Sequence, residues 1–371
     1  MKAVDKILEF ILHWISRPLT GRAGYLLIVV GVWITEPPII IDLVNLVLAK
    51  NSLGQLSAVE SQPIIGLTLV VLGLFLIVLS HVWIKKHTAN EIIGIRHNSL
   101  GSFPLEAIKP DLPLIQRLRR YREINVDHSD SYSNGVLTDH RSLIRRLDKV
   151  PTEINSFVGS APDTPISYYG LPHIPAAFYL GYLLADSKYL IQIYELNNNS
   201  NRWDQLASVN PCLEIINNKE KLSPNTASGD IILSVGVSYP VQQSEIDELG
   251  LENILGHVQF NAKSPQRQLI SSQNQIDQTC LEFKATLEHI KNSCPNRDRI
   301  HLFYSGPASL CFALGRCISE RIDSEIVVYN YSIKEKPKYN WSLTINSSTA
   351  TSAIFKQHST TGEANVSVQY A

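Results

Sequence analysis

The residues best suited to chemistry lie in two turns, each of which follows an apolar strand pattern and precedes a helical one. They are Gly170 and His173 in the first turn, and Ser305, Gly306 and Ser309 in or after the second. Glycine lets a backbone approach a ligand closely, and hydroxyl and imidazole groups can donate hydrogen bonds to phosphate. Backbone N–H groups at the start of a helix also favour an anion. We therefore predict that the two turns bind the phosphates of a small ligand.

Tyrosines that close the predicted strands form a second group of candidates. Tyr194, Tyr329 and Tyr331 each stand at the end of a strand pattern. Aromatic rings can stack on nucleobases without selecting one base. We therefore expect these rings, and the His173 imidazole, to contact the bases of a nucleotide ligand. The alternative is that the tyrosines are core residues and the turns are ordinary strand-to-helix connections.

Motifs of common enzyme classes do not occur in the sequence. It contains no G-x-x-x-x-G-K-[ST] phosphate loop, no H-E-x-x-H zinc helix and no complete G-x-G-x-x-G. Tyr304-Ser305-Gly306 does not fit the G-x-S-x-G turn of serine hydrolases. The 5 cysteines include no C-x-x-C pair, which is typical of reduced thiols rather than of disulfides or zinc ligands. We therefore predict a binding protein without catalytic residues, metal ligands or cofactor.

An internal repeat connects the two turns. Residues 166–203 and 300–341 share one order: strand, glycine–proline turn, helix with F-x-L-G, strand ending in tyrosine, and tryptophan. The helical blocks are Phe178–Gly181 and Phe312–Gly315, and the tryptophans are Trp203 and Trp341. Several matching blocks in one order indicate a duplication. We therefore predict two Rossmann-like halves related by a pseudo-two-fold axis.

Strand and helix patterns alternate through this region, which predicts an α/β fold with crossover helices. The predicted strands are Ile166–Tyr169, Leu190–Leu196, Ile231–Tyr239, Arg299–Tyr304 and Glu325–Tyr331. The predicted helices are Leu137–Phe157, Ile174–Ala185, Asn274–Asn292 and Ala308–Arg321. Ligands of such sheets lie beyond the carboxyl ends of the strands, where both turns are expected.

Two apolar segments precede the α/β region. Residues 64–84 carry no charged side chain and would reach about 31 Å as a helix, close to the thickness of a bilayer core. Residues 23–41 form a less regular candidate, interrupted by Glu36, Pro37 and Pro38. Basic residues precede the first segment and follow the second. The positive-inside rule therefore places both termini in the cytoplasm and residues 42–62 outside. A cleaved signal peptide is the alternative for the first segment, but no small-x-small cleavage site follows it.

Two further patterns belong to this membrane segment. Between Ile7 and Ile15, apolar side chains at helical spacing predict an amphipathic helix (residues 1–22) on the inner leaflet. Packing on the soluble domain is the alternative. Small residues recur at heptad spacing, at Gly24, Gly31, Gly66, Gly73 and Ser80. Such a stripe lets helices approach and favours oligomers, although glycine is common in transmembrane helices anyway.

The chain of 371 residues is therefore expected to have four parts. They are the N-terminal helix (1–22), two transmembrane helices (23–86), a connector (87–134) and a ligand-sensing α/β domain (135–371). The net charge of -1 excludes the strong basic excess of a general DNA or RNA binder.

The α/β residues resemble the SAVED domain family. The resemblance lies in Tyr169–Pro175, Leu180–Gly181, Tyr194–Leu196, Arg202–Trp203, Phe303–Pro307, Ala313–Gly315 and Val327–Tyr329. It covers about residues 135–345. With the two spans before it, the chain is similar to the two-transmembrane SAVED effectors of bacterial CBASS anti-phage systems.

The resemblance implies two fused CARF-like halves, in agreement with the repeat. It implies a cyclic oligonucleotide ligand, often a cyclic trinucleotide, made after infection by a partner nucleotidyltransferase of the CD-NTase type. It adds Tyr169, Pro307, Ser238 and Tyr239 to the expected ligand face. Ligand binding would stack the domains into oligomers, and the membrane helices would then assemble and breach the membrane, killing the infected cell.

The sequence hypothesis is a membrane-disrupting effector in the bacterial inner membrane that a cyclic oligonucleotide switches on. One rival is a membrane-anchored nuclease, or a ring nuclease that cleaves its ligand; a metal requirement or ligand turnover would identify it. The other rival is an anchored adaptor, whose ligand binding would leave membrane permeability unchanged.

Overall fold

The computed structural model describes residues 18–35, 45, 62–88, 91–100, 108–117, 119–133, 136–158, 164–185, 189–197, 200–206 and 210–359. The chain divides into a helical unit (residues 1–91 and 113–120) and an α/β unit (residues 92–112 and 121–371). The predicted amphipathic face between Ile7 and Ile15, and nearly all of the predicted outside loop, lie beyond the described residues.

The helical unit contains α1 (Pro18–Thr35), α2 (Pro63–Thr88) and the short α3 (Leu114–Arg117). Both long helices begin with proline, whose fixed φ suits the first helical position. Among the described residues, one helical segment, Pro63–Val82, is long and apolar enough to cross a membrane, with a mean hydropathy of 2.7. Helix α1 holds a shorter apolar run, Ala23–Thr35, and the remainder of the predicted first span lies outside the described residues. A two-helix membrane crossing therefore stays a prediction.

The heptad stripe of small residues holds α1 and α2 against each other. A Cβ atom added to Gly31 would lie 2.6 Å from the carbonyl oxygen of Gly66, and one added to Gly73 would lie 2.5 Å from that of Gly24. The two backbones are therefore in direct contact, which only glycine permits at this distance. The stripe is used within one chain, and an oligomer contact through it stays a prediction.

The α/β unit has two halves. In chain order the first half contains β1 (Ile92–Asn98), β2 (Tyr121–Asp127), β3 (Tyr132–Ser133), β4 (Val136–Leu137), α4 (His140–Val158), β5 (Ile166–Leu171), α5 (Ile174–Leu183), β6 (Ile191–Asn197) and β7 (Arg202–Gln205). The second half contains β8 (Ile215–Asn217), β9 (Gly229–Gly236), α6 (Gln243–Asp247), β10 (Ile254–Ala262), α7 (Gln273–Ser293), β11 (Arg297–Ser305), α8 (Ala308–Gly315), β12 (Glu325–Tyr331), β13 (Tyr339–Ile345) and β14 (Ile354–Gln357).

The two large sheets share one topology. The first has the order β2-β1-β5-β6-β7, and the second contains β10-β9-β11-β12-β13 between the added edge strands β8 and β14. In both, the first three pairings are parallel and the last is antiparallel. A crossover helix, α4 or α7, precedes the third strand of each half. This mixed α/β architecture confirms the predicted fold class of the soluble region.

The duplicated unit is longer than the repeat detected in the sequence. Strands β1 and β2 come from the segment predicted to be a connector (87–134), and the α/β unit begins at Ile92 rather than near residue 135. The reason is burial of apolar side chains in this segment. The side chains of Ile92, Ile93 and Ile95 are fully buried, as in a core strand and unlike an exposed linker.

Helices α5 and α8 cross at the centre of the unit, and the contact is reciprocal. A Cβ atom on Gly181 would lie 2.1 Å from the carbonyl oxygen of Phe312, and one on Gly315 would lie 2.1 Å from that of Phe178. The F-x-L-G block of each half therefore packs on the same block of the other half. Such exchange of equivalent contacts is what a two-fold relation produces.

Several element ends differ from the predictions for local reasons. Helix α4 begins at His140 rather than Leu137 because the Asp139 carboxylate accepts the Ser142 N–H at 2.9 Å, an N-cap contact. Helix α8 ends at Gly315 rather than Arg321, where the chain turns through a bond from the Ile318 N–H to the Gly315 carbonyl at 3.2 Å.

Candidate functional site

Each half has a topological switch point, a pair of neighbouring strands after which the chain continues toward opposite sides of the sheet. After β1 or β9 the chain continues to β2 or β10 on one side, and after β5 or β11 it continues through α5 or α8 to the other side. The first lies between β1 and β5, and the second between β9 and β11. The carboxyl ends of strands at such points form the crevice that binds ligands in open parallel sheets. We call residues 98–99 with 170–173 the first crevice, and residues 236–239 with 305–309 the second crevice.

A serine that sequence analysis missed closes the first crevice. The backbone N–H of His173 donates to Ser99 Oγ at 2.7 Å, and Ser99 Oγ lies 2.6 Å from His173 Nδ1. The His173 ring also stacks on Tyr132, with centroids 4.2 Å apart. Ser99 directly follows β1. The sequence analysis missed this serine because it took the segment for a connector.

Gly170 has a structural role in the first crevice. Its φ is +147°, and an added Cβ would lie 1.7 Å from the carbonyl oxygen of His97 on β1. No other residue type fits this contact. Gly170 thus permits a close backbone approach, as predicted, but the group that approaches is strand β1. Contact of this glycine with a ligand stays a prediction.

Buried histidines lie behind the first crevice. His97 and His128 are fully buried, with ring centroids 5.4 Å apart. Neither nitrogen of His128, nor Nε2 of His97, has a hydrogen-bond partner among the residues that the structure describes. Burial lowers the pKa of His128 and of His173 to about 4, so both rings are neutral at pH 7.

Backbone bonds join the two strands of the second crevice. The carbonyl of Ser305 accepts the N–H groups of Val237 at 2.7 Å and Ser238 at 2.9 Å. Pro307, the residue before α8, is extended, and its carbonyl accepts the Tyr304 hydroxyl at 2.8 Å. Ser305, Gly306 and Pro307 are half-buried at this turn, so the structure brings Ser238 and the predicted turn together.

An arginine beside the second crevice was missed. Tyr239 is 50% exposed, its ring centroid lies 5.6 Å from the guanidinium carbon of Arg267, and its hydroxyl accepts the Arg267 Nε–H. Arg267 follows β10, a strand absent from the sequence prediction. An exposed cation paired with an aromatic face is suited to a phosphate next to a base.

Ser309 is already engaged by an acid from the other half. Its hydroxyl donates to Glu195 Oε2, at the carboxyl end of β6. Burial raises the pKa of the Glu195 carboxyl to about 7, against the opposing effect of the Ser309 hydrogen bond. Glu195 was missed because 114 residues separate the two partners.

Three tyrosines predicted for the ligand face are buried in this structure. Tyr169 and Tyr194 lie in a small apolar cluster with Trp203 on the outer face of the first sheet, and Tyr329 lies in the matching cluster on the second sheet with Tyr339. Strand alternation sends these side chains away from α5 and α8. They are core residues in this structure, not open stacking surfaces. Tyr331 is different: it is 41% exposed, and its hydroxyl donates to Glu245 at 2.8 Å.

The tryptophan block of the repeat is also corrected. Trp203 pairs with Leu196 across the β6–β7 hairpin, and the residue at the same place in the second half is Tyr339, paired with Tyr331. Trp341 instead pairs with Asn330 and belongs to the main core. The two tryptophans are therefore not equivalent in the fold.

A cleft of about 740 Å³ lies elsewhere, near the amino ends of β11 and β12. It is lined by Asp298, Arg299, Glu320, Asp323, Glu325 and residues 346–353, among others. Four acids against one arginine repel phosphate, so size alone does not make this cleft the anion site. The switch-point crevices are better suited to an anionic ligand because they lie at the starts of α5 and α8, where first-turn N–H groups have no partner within the helix.

Side chains that could bind a metal or form disulfides are the remaining candidates for chemistry. Within the described ranges, no group of three or more His, Cys, Asp or Glu side chains could hold a metal ion. The five cysteines, all within those ranges, are free thiols.

The fold and site define a duplicated α/β domain with a crevice at the switch point of each half. The family model of the SMODS-associated and fused to various effectors sensor domain, SAVED, matches residues 150–345. This match spans more than half of the chain, and the chain belongs to the SAVED family. No curated protein matches it significantly.

Solved structures with a similar fold include a Cap4 SAVED/CARF-domain receptor of Acinetobacter baumannii bound to the cyclic trinucleotide 2′3′3′-cAAA. It is 16% identical with a TM-score of 0.46, over 74% of this chain and 54% of that one. The Moraxella osloensis Cap4 receptor is 17% identical with a TM-score of 0.42, over 66% of this chain and 48% of that one. This chain thus spans about half the length of the structures it matches.

Proposed function

We propose that this protein is a receptor for a cyclic oligonucleotide and the effector of an anti-phage CBASS system in the bacterial inner membrane. Membership of a sensor-domain family carries the proposal. A cyclic oligonucleotide presents several equivalent phosphates, and the duplicated domain presents two equivalent crevices. Similar Cap4 receptors have been solved with 3′3′3′-cAAA and 2′3′3′-cAAA, which are therefore the first ligands to test.

In this proposal the phosphates bind at the turns before α5 and α8, near His173, Ser305 and Gly306. Tyr239 and Tyr331, whose rings are exposed, contact the bases. Arg267 adds the positive charge that a phosphate requires. Binding then favours an assembled state of the α/β units, because a ligand shifts an equilibrium only by its differential affinity for the two states.

The output of the proposed switch is membrane damage. Helices α1 and α2 expose apolar side chains over most of their surface, for example Val29 at 66% and Ile64 at 81%. Such faces are suited to lipid. Because the glycine stripe already joins the two helices, assembly of several chains would use these outer faces.

The test uses the full chain in lipid nanodiscs and in dye-loaded vesicles of phosphatidylethanolamine and phosphatidylglycerol. A panel of cyclic di- and trinucleotides is titrated, with heat of binding, particle mass and dye release as readouts. We expect one ligand to bind tightly, raise the mass and release dye. Ser305→Ala, which removes a half-buried hydroxyl from the second turn, should weaken all three without lowering the unfolding temperature by more than a few degrees.

Other outcomes separate the rivals. Binding without dye release would support an anchored adaptor. Loss of intact ligand, sensitive to EDTA, would support a nuclease or ring nuclease. Binding of no panel member would overturn the receptor proposal and leave the fold without this function.

A further inference from the structure

The contact between Glu195 and Ser309 joins the two halves at a turn expected to bind phosphate. Glu195 stands at the carboxyl end of β6 in the first half, and Ser309 is buried in the first turn of α8 in the second half. The Ser309 hydroxyl donates a hydrogen bond to Glu195 Oε2. This hydroxyl is therefore occupied by a carboxyl group of the same chain.

No neutralising partner surrounds the Glu195 carboxyl. In the described part of the chain, no basic side chain forms an ion pair with it, and the opposing residue on β7 is another acid, Asp204. The remaining titratable groups near it are the Tyr168 and Tyr304 hydroxyls and the Cys311 thiol, whose pKa values burial raises further from neutrality. Glu195 is thus the one group of this set that changes charge near pH 7.

The first crevice has no such acid. Tyr194 and Tyr329 are equivalent, so the residue at the place of Glu195 in the second half is Asn330. Its side-chain amide is buried and donates to Asn340 Oδ1 at 3.2 Å. The carboxyl group at this position of the first half therefore has an amide as its counterpart in the second half.

We propose that Glu195 competes with the ligand for the second crevice: its carboxyl group holds Ser309 in the free protein, and a phosphate binds there once that carboxyl is neutral or displaced. This inference rests on the proposed function. It makes Glu195 a residue that sets ligand affinity and its pH dependence rather than a ligand contact. Displacing it would also break a contact between the halves, which couples ligand binding to their arrangement.

The pH dependence has a defined sign. Above about pH 7 the carboxylate is charged and repels a phosphate, and below it the neutral acid does not. If binding requires the neutral form, affinity falls about tenfold between pH 6 and pH 8. The histidines behind the first crevice do not contribute in this range, because burial lowers the pKa of His128 and His173 to about 4.

The experiment compares the full chain with Glu195→Gln and Asp204→Asn in nanodiscs. Affinity for 3′3′3′-cAAA, or for the panel member that binds best, is measured at pH 6 and pH 8. Glutamine keeps a hydrogen bond to Ser309 without charge, so this variant should bind about tenfold more tightly than wild type at pH 8 and equally at pH 6. Asp204→Asn removes an exposed charge on the neighbouring strand and should keep the wild-type pH dependence.

A ligand-free measurement separates this inference from the proposed function. Folding raises the pKa of Glu195, so its favourable contribution to stability is present below about pH 4.5 and is lost as the pH rises to about 7. Glu195→Gln should therefore raise the unfolding temperature at pH 8 but not at pH 4.5. Parallel pH profiles of unfolding for both proteins, or equal pH dependence of their ligand affinities, would overturn the inference alone. Absence of any binding to either protein would overturn it together with the receptor proposal.

Discussion

The first and second crevices occupy equivalent places in the two halves, yet their side chains differ in burial and charge. The first is backed by two fully buried histidines, of which His128 has no hydrogen-bond partner in the described part of the chain, and His173 stacks on Tyr132 at its edge. The second has an exposed tyrosine–arginine pair, and an acid from the opposite half holds one of its hydroxyls.

The difference shows which part of the duplication the fold enforces. Sheet order and the reciprocal crossing of α5 and α8 depend on backbone contacts that a larger residue would break. The crevice side chains lie at strand ends, where packing imposes little, so each half can present different chemistry on one backbone plan. We therefore expect one asymmetric ligand site rather than two identical ones.

The largest effect should come from the crevice glycines. Gly170→Ala should lower the free energy of unfolding by about 3 kcal/mol, because its φ is +147° and the added Cβ meets a β1 carbonyl. Gly306→Ala is the matched change in the second crevice, where the added Cβ would lie 2.5 Å from the buried Tyr304 hydroxyl. It should cost about 1 kcal/mol, because Gly306 has no positive φ and the contact is with a side chain rather than a backbone carbonyl. Equal losses in denaturant unfolding would show that the two turns are equally constrained.

The helix crossing provides a test of symmetry. Gly181→Ala and Gly315→Ala each direct a Cβ at a backbone carbonyl 2.1 Å away. Overpacking of this kind should lower stability by about 2 kcal/mol in each case. Because the contacts are reciprocal, the two losses should agree within about 0.5 kcal/mol, measured by denaturant unfolding of the full chain in detergent. A difference of about 2 kcal/mol would contradict a two-fold relation at the crossing.

Buried histidines should respond in opposite ways in the two halves. Replacing His128 by leucine removes two unpaired ring nitrogens and should raise stability at pH 7 by about 1 kcal/mol. His301→Leu is the contrasting change, since its ring bonds Tyr329 at 2.8 Å and Asp230 at 2.9 Å, and it should lose about 2 kcal/mol.

His128 also determines how the stability of the first half depends on acid pH. Folding lowers the pKa of His128 to about 4, so stability is retained above about pH 6.5 and lost as the pH falls toward 4. His128→Leu should flatten the unfolding temperature over this range. An unchanged acid profile would show that the ring is not held neutral by the fold.

The sequence predicted the duplication, the α/β class and both turns, because strand period, helix period and glycine–proline punctuation are local signals. It missed β1, β2 and β10, which contain polar residues such as Arg96, Arg122 and His257 within their strands. It also missed Ser99, Glu195 and Arg267, whose partners come from other elements. The contact between Glu195 and Ser309, for example, joins residues 114 positions apart, and the local sequence around either residue does not predict it.

The smallest expected change in stability is at the rim of the second crevice. Arg267→Ala removes an exposed guanidinium that contacts Tyr239, worth under about 1 kcal/mol to the fold. If the second crevice binds phosphate, the same change should weaken ligand affinity about tenfold, since charge-assisted bonds to phosphate are among the strong ones. Lys291→Ala is the control, because it removes an exposed cation in the last turn of α7, before the amino end of β11. Equal affinities of the two variants would place the cation requirement elsewhere, and loss of affinity only with Arg267→Ala would assign the charged contact to the second half.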